Sequence, residues 1–185
     1  MGKDLLIAIV GTSGSGKSTI CSRLERKFGM TSVKSYTTRA IRTEDEEDIN
    51  THTFITSDRV KDFADDMVAY NKYNGAEYFV TREQLKTADL YVVDKAGLIQ
   101  LYRNYHDKDI LSIYIDCDSS IVAQRMEQRG DSDEQIMQRL QYDAEAFAGA
   151  KDLCDFVMRN ENPNDINDIV DWIEQTYRYY RVRGE

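Results

Sequence analysis

The 185 residues carry 41% hydrophobic and 31% charged side chains, an ordinary globular mixture at a length that suits one domain with a sizeable core. A net charge of −9 excludes a general nucleic-acid surface, which needs broad basic patches to neutralise phosphates, but leaves room for a basic pocket around one small anion. Cys21, Cys117 and Cys154 form no CxxC pair and predict reduced thiols. No apolar run approaches the ~20 residues of a membrane span and no signal-peptide pattern opens the chain, so the expectation is a cytoplasmic protein without a membrane partner.

In chain order, LLIAIV at 5–10 reads as a buried strand and runs straight into GTSGSGKST at 11–19, after which a helix pattern covers about 17–28. Residues 36–80 break the rhythm. They open with SYTTRAIRTEDEEDIN and continue into two β-like pieces, MVAYNKY and AEYFV, joined at Asn74-Gly75, a strong hairpin signal. A small inserted lobe is expected there. Beyond it, LYVVD (90–94), ILSIYID (110–116) and DFVMR (155–159) read as further buried strands, near-continuous apolar runs of the kind a parallel sheet covered on both faces requires. Helix patterns fall at about 95–106, 119–130, 132–150 and 165–182, and Thr81 with Gln84 and Ser132 with Gln135 have capping-box spacing. Alternating strands and helices predict an α/β fold, a P-loop core with a parallel sheet flanked by helices.

Gly11-Thr12-Ser13-Gly14-Ser15-Gly16-Lys17-Ser18 fits G-x-x-x-x-G-K-[ST] between a strand and a helix. Glycines let the backbone curl so that successive N–H groups face phosphate oxygens, and the helix N-terminus adds its partial positive charge. Residues 11–19, Thr19 included, are therefore expected to hold a nucleoside triphosphate, with Lys17 reaching the terminal phosphates and the Ser18 hydroxyl ligating Mg²⁺. Arg39 and Arg42, three apart among hydroxyls, can clamp a second phosphate through bidentate bonds or belong to a solvated loop. The EDEED run after them reads as solvated, lacking the spacing of a metal site. Arg125 and Arg129 share a helical face and Arg139 follows on the next helix. They can close over phosphates as a lid, or pair on the surface with Glu127 or Glu134.

Taken together, GTSGSGKST, S-Y-T-T-R-A-I-R-T-E, H-T-F-I, G-A-E-Y, D-K-A-G and R-M-E-Q-R-G resemble the guanylate kinase family nearly end to end. The resemblance implies three parts: a parallel-sheet core at 1–35 and 81–185, an acceptor-binding lobe at about 36–80, and a helical lid around 125–140. It assigns Ser35, Arg39, Arg42 and Tyr78 to the acceptor phosphate, with His52 where the family has tyrosine. Lys17, Arg39, Arg125, Arg129 and Arg139 would serve the transfer. Asp94, the one aspartate kept from the family's L-D-x-D-x-Q-G, would lie at the acceptor and, with Ser18, at the metal. Departures concentrate in the base pocket: Ala69 replaces a glutamate, and Phe79-Val80 replace a glycine and a hydroxyl residue. The implied activity is ATP-dependent phosphorylation of a nucleoside monophosphate, GMP or dGMP first. Alternatives are a kinase for another nucleotide or a sugar phosphate, or a catalytically silent binding module. Small nucleotides are the expected partners.

Overall fold

The computed structural model describes residues 4–41, 51–73 and 75–183. Arg42, the acidic run at 44–48 and Asn74 therefore lie outside the described residues. Strand β1 (Leu5–Val10) is buried along its whole length and stands inside a parallel sheet of order β6-β1-β7-β8, formed with β6 (Leu90–Val92), β7 (Asp109–Asp116) and β8 (Phe156–Arg159). Side chains alternate across a strand, so β1 feeds two separate cores. Leu6, Ala8 and Val10 pack with Leu98, Leu101 and Tyr105, whereas Leu5, Ile7 and Ile9 pack with Ile20, Leu24, Ile169 and Ile173. The first set faces helix α3 (Lys95–Asn104), the second helices α1 (Lys17–Phe28) and α6 (Asp165–Arg183). This two-sided cover is what makes the run LLIAIV apolar at every position.

A second sheet, order β3-β2-β5-β4, is built from β2 (Ser35–Thr37), β3 (His52–Phe54), β4 (Met67–Tyr73) and β5 (Ala76–Thr81). Its hairpin β4–β5 is antiparallel, as the sequence predicts, while β2 and β3 pair in parallel. A 3-10 stretch, Ser57–Asp66, carries the chain from β3 to β4 and has no counterpart in the sequence reading. Between Met67 and Ala69 the β4 register shifts, and both Val68 and Ala69 are buried. Gln100 of α3 accepts the Tyr70 N–H at 3.0 Å and donates back to its carbonyl at 2.8 Å, and Asn104 donates to Val68 O at 2.8 Å. Helix α3 thereby supplies partners to backbone groups of β4.

Helix α2 (Arg82–Thr87) starts at the Thr81–Gln84 capping box, and α5 (Asp133–Ala146) at the Ser132–Gln135 box. Helix α4 (Ser119–Gln128) packs on α5 through Val122, Met126 and Ile136. Several helices stop short of their sequence patterns. The α4 run ends before Gly130 (φ +93°), and the pattern at 132–150 breaks at Ala146, with Gly149 at φ +71°. Strand β8 departs from the expected two-sided burial: Phe156 and Val157 are 43% and 48% exposed. The physical reason is its position at the sheet edge, where, among the ring contacts of the described residues, Phe156 meets only the Trp172 ring at 4.8 Å.

Candidate functional site

Helices α2 to α5 each open with a side chain that accepts a backbone N–H of the first turn: Thr81, Asp94, Asp118 and Ser132. Helix α1 does not. Its N-cap is Gly16 (φ +98°), without a side-chain cap and with no acidic residue in the first turn. The orphan donors at a helix start must be satisfied by something, and here the chain leaves them to a ligand carrying negative charge.

The loop before α1 is braced by its carbonyls. Asn160, fully buried just beyond β8, donates from Nδ2 to Ser15 O at 2.7 Å, and Arg125 of α4 donates to Gly14 O at 3.2 Å and Asn160 O at 3.0 Å. In a trans peptide the C=O and the next N–H oppose one another, so holding Ser15 O toward Asn160 turns the Gly16 N–H the other way. A Cβ on Gly16 would lie 2.3 Å from Asn160 Nδ2, and one on Gly11 2.7 Å from Ile115 O. Glycine is required at both. Lys17 donates to Thr12 O at 2.7 Å; burial lowers its pKa to about 8, with Asp143 opposing and Arg139 reinforcing the shift. Ser18 and Thr19 are exposed at the helix mouth.

The three arginines of the expected lid separate. Arg125 spends its donors on the loop and on Cys117 Sγ. Arg129 is largely exposed and pairs with Asp131 at 3.4 Å. Arg139 alone of the three reaches both halves of the site. Its Nε donates to Ser13 Oγ and lies 3.3 Å from Asp143 Oδ1, and its NH1 donates to Tyr73 OH at 3.1 Å. The guanidinium also lies over the Tyr73 and Tyr142 rings at 5.3 and 5.6 Å. Asp143, 2% exposed, accepts the Ser13 N–H at 2.6 Å.

Arg139 borders a cavity of about 500 Å³ lined also by Ser35, Arg39, His52, Tyr78, Ala69, Asn71 and Asp94. Every described residue that the resemblance assigns to the acceptor therefore lines this one cavity. Ser35 Oγ and His52 Nδ1 share a hydrogen bond at 3.0 Å, and the His52 ring meets Tyr78 edge-on at 5.7 Å. The Arg39 guanidinium lies over Phe54 and donates to Ala40 O. Asp94 Oδ1 accepts the Gly97 N–H at 2.7 Å, capping α3, and its Oδ2 accepts from Asn71. Both carboxylate oxygens are thus engaged by other groups of the chain. Among the described residues no group of three or more His, Cys, Asp or Glu side chains could hold a metal ion, and no helix is long and apolar enough to cross a membrane. All three cysteines are free thiols.

Asn160, Asp143 and Tyr73 escaped the sequence reading. Asn160 directly follows a predicted strand, at the carboxyl end where parallel sheets place ligands. Asp143 is four residues beyond Arg139, hence on the same helical face.

A strand, a glycine loop braced by its carbonyls and an uncapped helix opening on a half-buried lysine define a P-loop nucleotide-binding domain. A family model described as an AAA domain matches residues 7–148, and the chain belongs to that family. Its fold is that of guanylate kinase: the crystal structure of guanylate kinase from Anaplasma phagocytophilum matches with a TM-score of 0.71 at 20% identity, covering 96% of this chain and 86% of that one. A guanylate kinase from Fusobacterium nucleatum is 24% identical over 183 residues, 94% of this chain and 98% of that protein. An uncharacterized protein from Eubacterium ventriosum matches with a TM-score of 0.53 at 15% identity, over 95% of this chain and 99% of that chain.

Proposed function

We propose that the protein transfers the γ-phosphoryl group of ATP to the phosphate of a small phosphorylated acceptor, a nucleoside monophosphate in the first instance. The observation that carries this reading is Arg139, which touches the donor loop at Ser13 and the acceptor cavity at Tyr73. A cation held between two phosphate sites is what phosphoryl transfer needs, because charge accumulates between donor and acceptor oxygens and catalysis is mostly positioning and neutralisation. An acceptor phosphate oxygen attacks the γ-phosphorus, the bond to the β,γ-bridging oxygen breaks, and ADP leaves. Lys17 neutralises the terminal phosphates and Arg39 holds the acceptor phosphate with Ser35, His52 and Tyr78. Arg125 keeps the loop in shape, and exposed Arg129 joins from the lid.

The donor set fits a Mg²⁺ that arrives with the nucleotide: Ser18 offers one hydroxyl at the mouth of α1, and among the described residues no carboxylate cage competes with the phosphates. Bound there, Mg²⁺ would neutralise charge on the β- and γ-oxygens. With both its oxygens engaged, Asp94 is better suited to orienting Asn71 at the acceptor than to ligating metal.

GMP and dGMP are the first acceptors to try, yet Ala69, 2% exposed at the cavity, stands where a base-reading carboxylate is expected, and Val80 is fully buried in the core. That observation favours a second reading, in which another nucleotide or a sugar phosphate is preferred. The test is ATP consumption against GMP, dGMP, AMP, CMP, UMP, dTMP and ribose 5-phosphate. Turnover with at least one is expected. A folded protein that binds ATP yet turns over none of them would point instead to a silent binding module.

A further inference from the structure

The glycine loop already holds an anion, and it belongs to the chain itself. Asp143 of α5 is 2% exposed, its Oδ2 accepts the Ser13 N–H at 2.6 Å, and its Oδ1 lies 3.3 Å from Arg139 Nε. Among the charges acting on Lys17, Asp143 is also the strongest, and it favours the protonated amine. A loop amide, the lid arginine and the P-loop lysine are three groups a nucleoside triphosphate would use, and one carboxylate serves all three. Arg139, on the same helix, also reaches Ser13, but as a cation donating to its hydroxyl, and Tyr142, beside Asp143 in sequence, turns its ring toward Tyr73 at 4.6 Å.

We propose that Asp143 is an internal stand-in for donor phosphate, displaced when ATP binds, so that donor binding releases Arg139 to the transferring group. The proposal rests on the reading of this loop as an ATP site. Two anions cannot share the Ser13 N–H without strong repulsion in a poorly solvated place, so the carboxylate must withdraw as the phosphates arrive. Its withdrawal removes the one negative charge paired with Arg139 Nε, leaving the guanidinium held only by the neutral hydroxyls of Ser13 and Tyr73. In the empty protein the same contact keeps α5 closed on the loop, and the lid is therefore armed only when donor is present. Asp143 acts here as a positioning residue for Arg139 and as a competitor of the donor.

The experiment is calorimetric titration of the wild-type protein, Asp143→Asn and Asp143→Ala with the Mg²⁺ complex of β,γ-imido-ATP at pH 6.5, together with the Tm of each unliganded protein. Opposite movements are expected: both variants lose Tm without ligand, while the Kd for the analogue falls about tenfold, since a competing charge has been removed. A merely structural role for Asp143 would lower Tm and weaken binding together, and unchanged or weaker binding by Asp143→Asn overturns the proposal. Asp143→Asn keeps the side-chain shape and a neutral acceptor, so it decides the matter even where Asp143→Ala does not fold. If neither the folded wild type nor the variants bind the analogue, the ATP-site reading itself fails and the proposal falls with it. Binding by all three with equal Kd overturns the displacement alone.

Discussion

The glycine loop and the cavity proposed for the acceptor offer a ligand different parts of the chain. Around the loop the recognising groups are backbone amides, fixed because Asn160 and Arg125 hold the opposing carbonyls. Around the cavity they are side chains: Arg39, His52, Tyr78, Asn71 and Asp94. Backbone recognition suits a ligand group that never changes, a phosphate, and tolerates almost no variation in the glycines that shape it. Side-chain recognition suits a group that varies, and a single substitution such as Ala69 can redirect it while the fold stays the same.

The largest expected effect lies on the backbone side. Lys17→Ala should cut turnover by roughly 10³-fold while circular dichroism and Tm stay near wild type, because the amine neutralises phosphate charge and packs against no core cluster. Near-normal turnover from the folded variant would remove the donor loop from the mechanism. On the acceptor side, Arg39→Lys should lower kcat/KM for the acceptor by about tenfold to a hundredfold with ATP affinity little changed, since lysine cannot reproduce a bidentate contact. Should ATP affinity collapse instead, the division between the two regions is wrong.

The lysine also gives the donor side a pH signature. Its pKa in the empty protein is about 8, lowered chiefly by burial, and a bound triphosphate restores the protonated form. ATP affinity should therefore be flat below that value and fall by up to about tenfold per pH unit above it, with proton uptake on binding. Titration in buffers of different ionisation enthalpy measures the uptake, and its absence at pH 9 would show that Lys17 does not contact the phosphates.

Ala69→Glu should shift kcat/KM toward GMP over AMP by about tenfold, because a carboxylate in the cavity pairs with guanine's adjacent N–H donors. Strict and efficient use of GMP by the natural sequence would show that Asn71 and Asp94 already read the base. Smallest is Ser132→Ala, which removes one half of the α5 capping box and should cost about 1 kcal/mol of stability with turnover unchanged, as read by chemical denaturation. A large drop in turnover would mean that the lid's anchoring, not only Arg139, governs the transfer.

What the sequence made legible follows the same division. The P-loop could be read because its chemistry depends on local backbone conformation, and local conformation is written in contiguous glycines. Both capping boxes and the β4–β5 hairpin were legible for the same reason. Asn160 and Asp143 were not, since each reaches the loop across more than a hundred residues and no local period marks them. Exposure of Phe156 and Val157 was missed because an apolar run announces a strand without saying whether it ends at the rim of its sheet. The parallel pairing of β2 with β3 was likewise invisible: three-residue strands carry too few side chains to show a period.

The bracing of the loop also sets a timetable. Gly14 waits for Arg125 across 111 residues, Ser13 for Asp143 across 130, and Ser15 for Asn160 across 145. During synthesis at roughly 5–20 residues per second, the glycine segment therefore leaves the ribosome on the order of ten seconds before its last brace is made. For the earlier part of that interval β1 also lacks its neighbours on either side, until β6 (Leu90–Val92) and then β7 (Asp109–Asp116) have been made. The newborn N-terminal segment is an apolar strand with no nucleotide site attached, which exposes it to chaperones and to aggregation until the C-terminal third arrives.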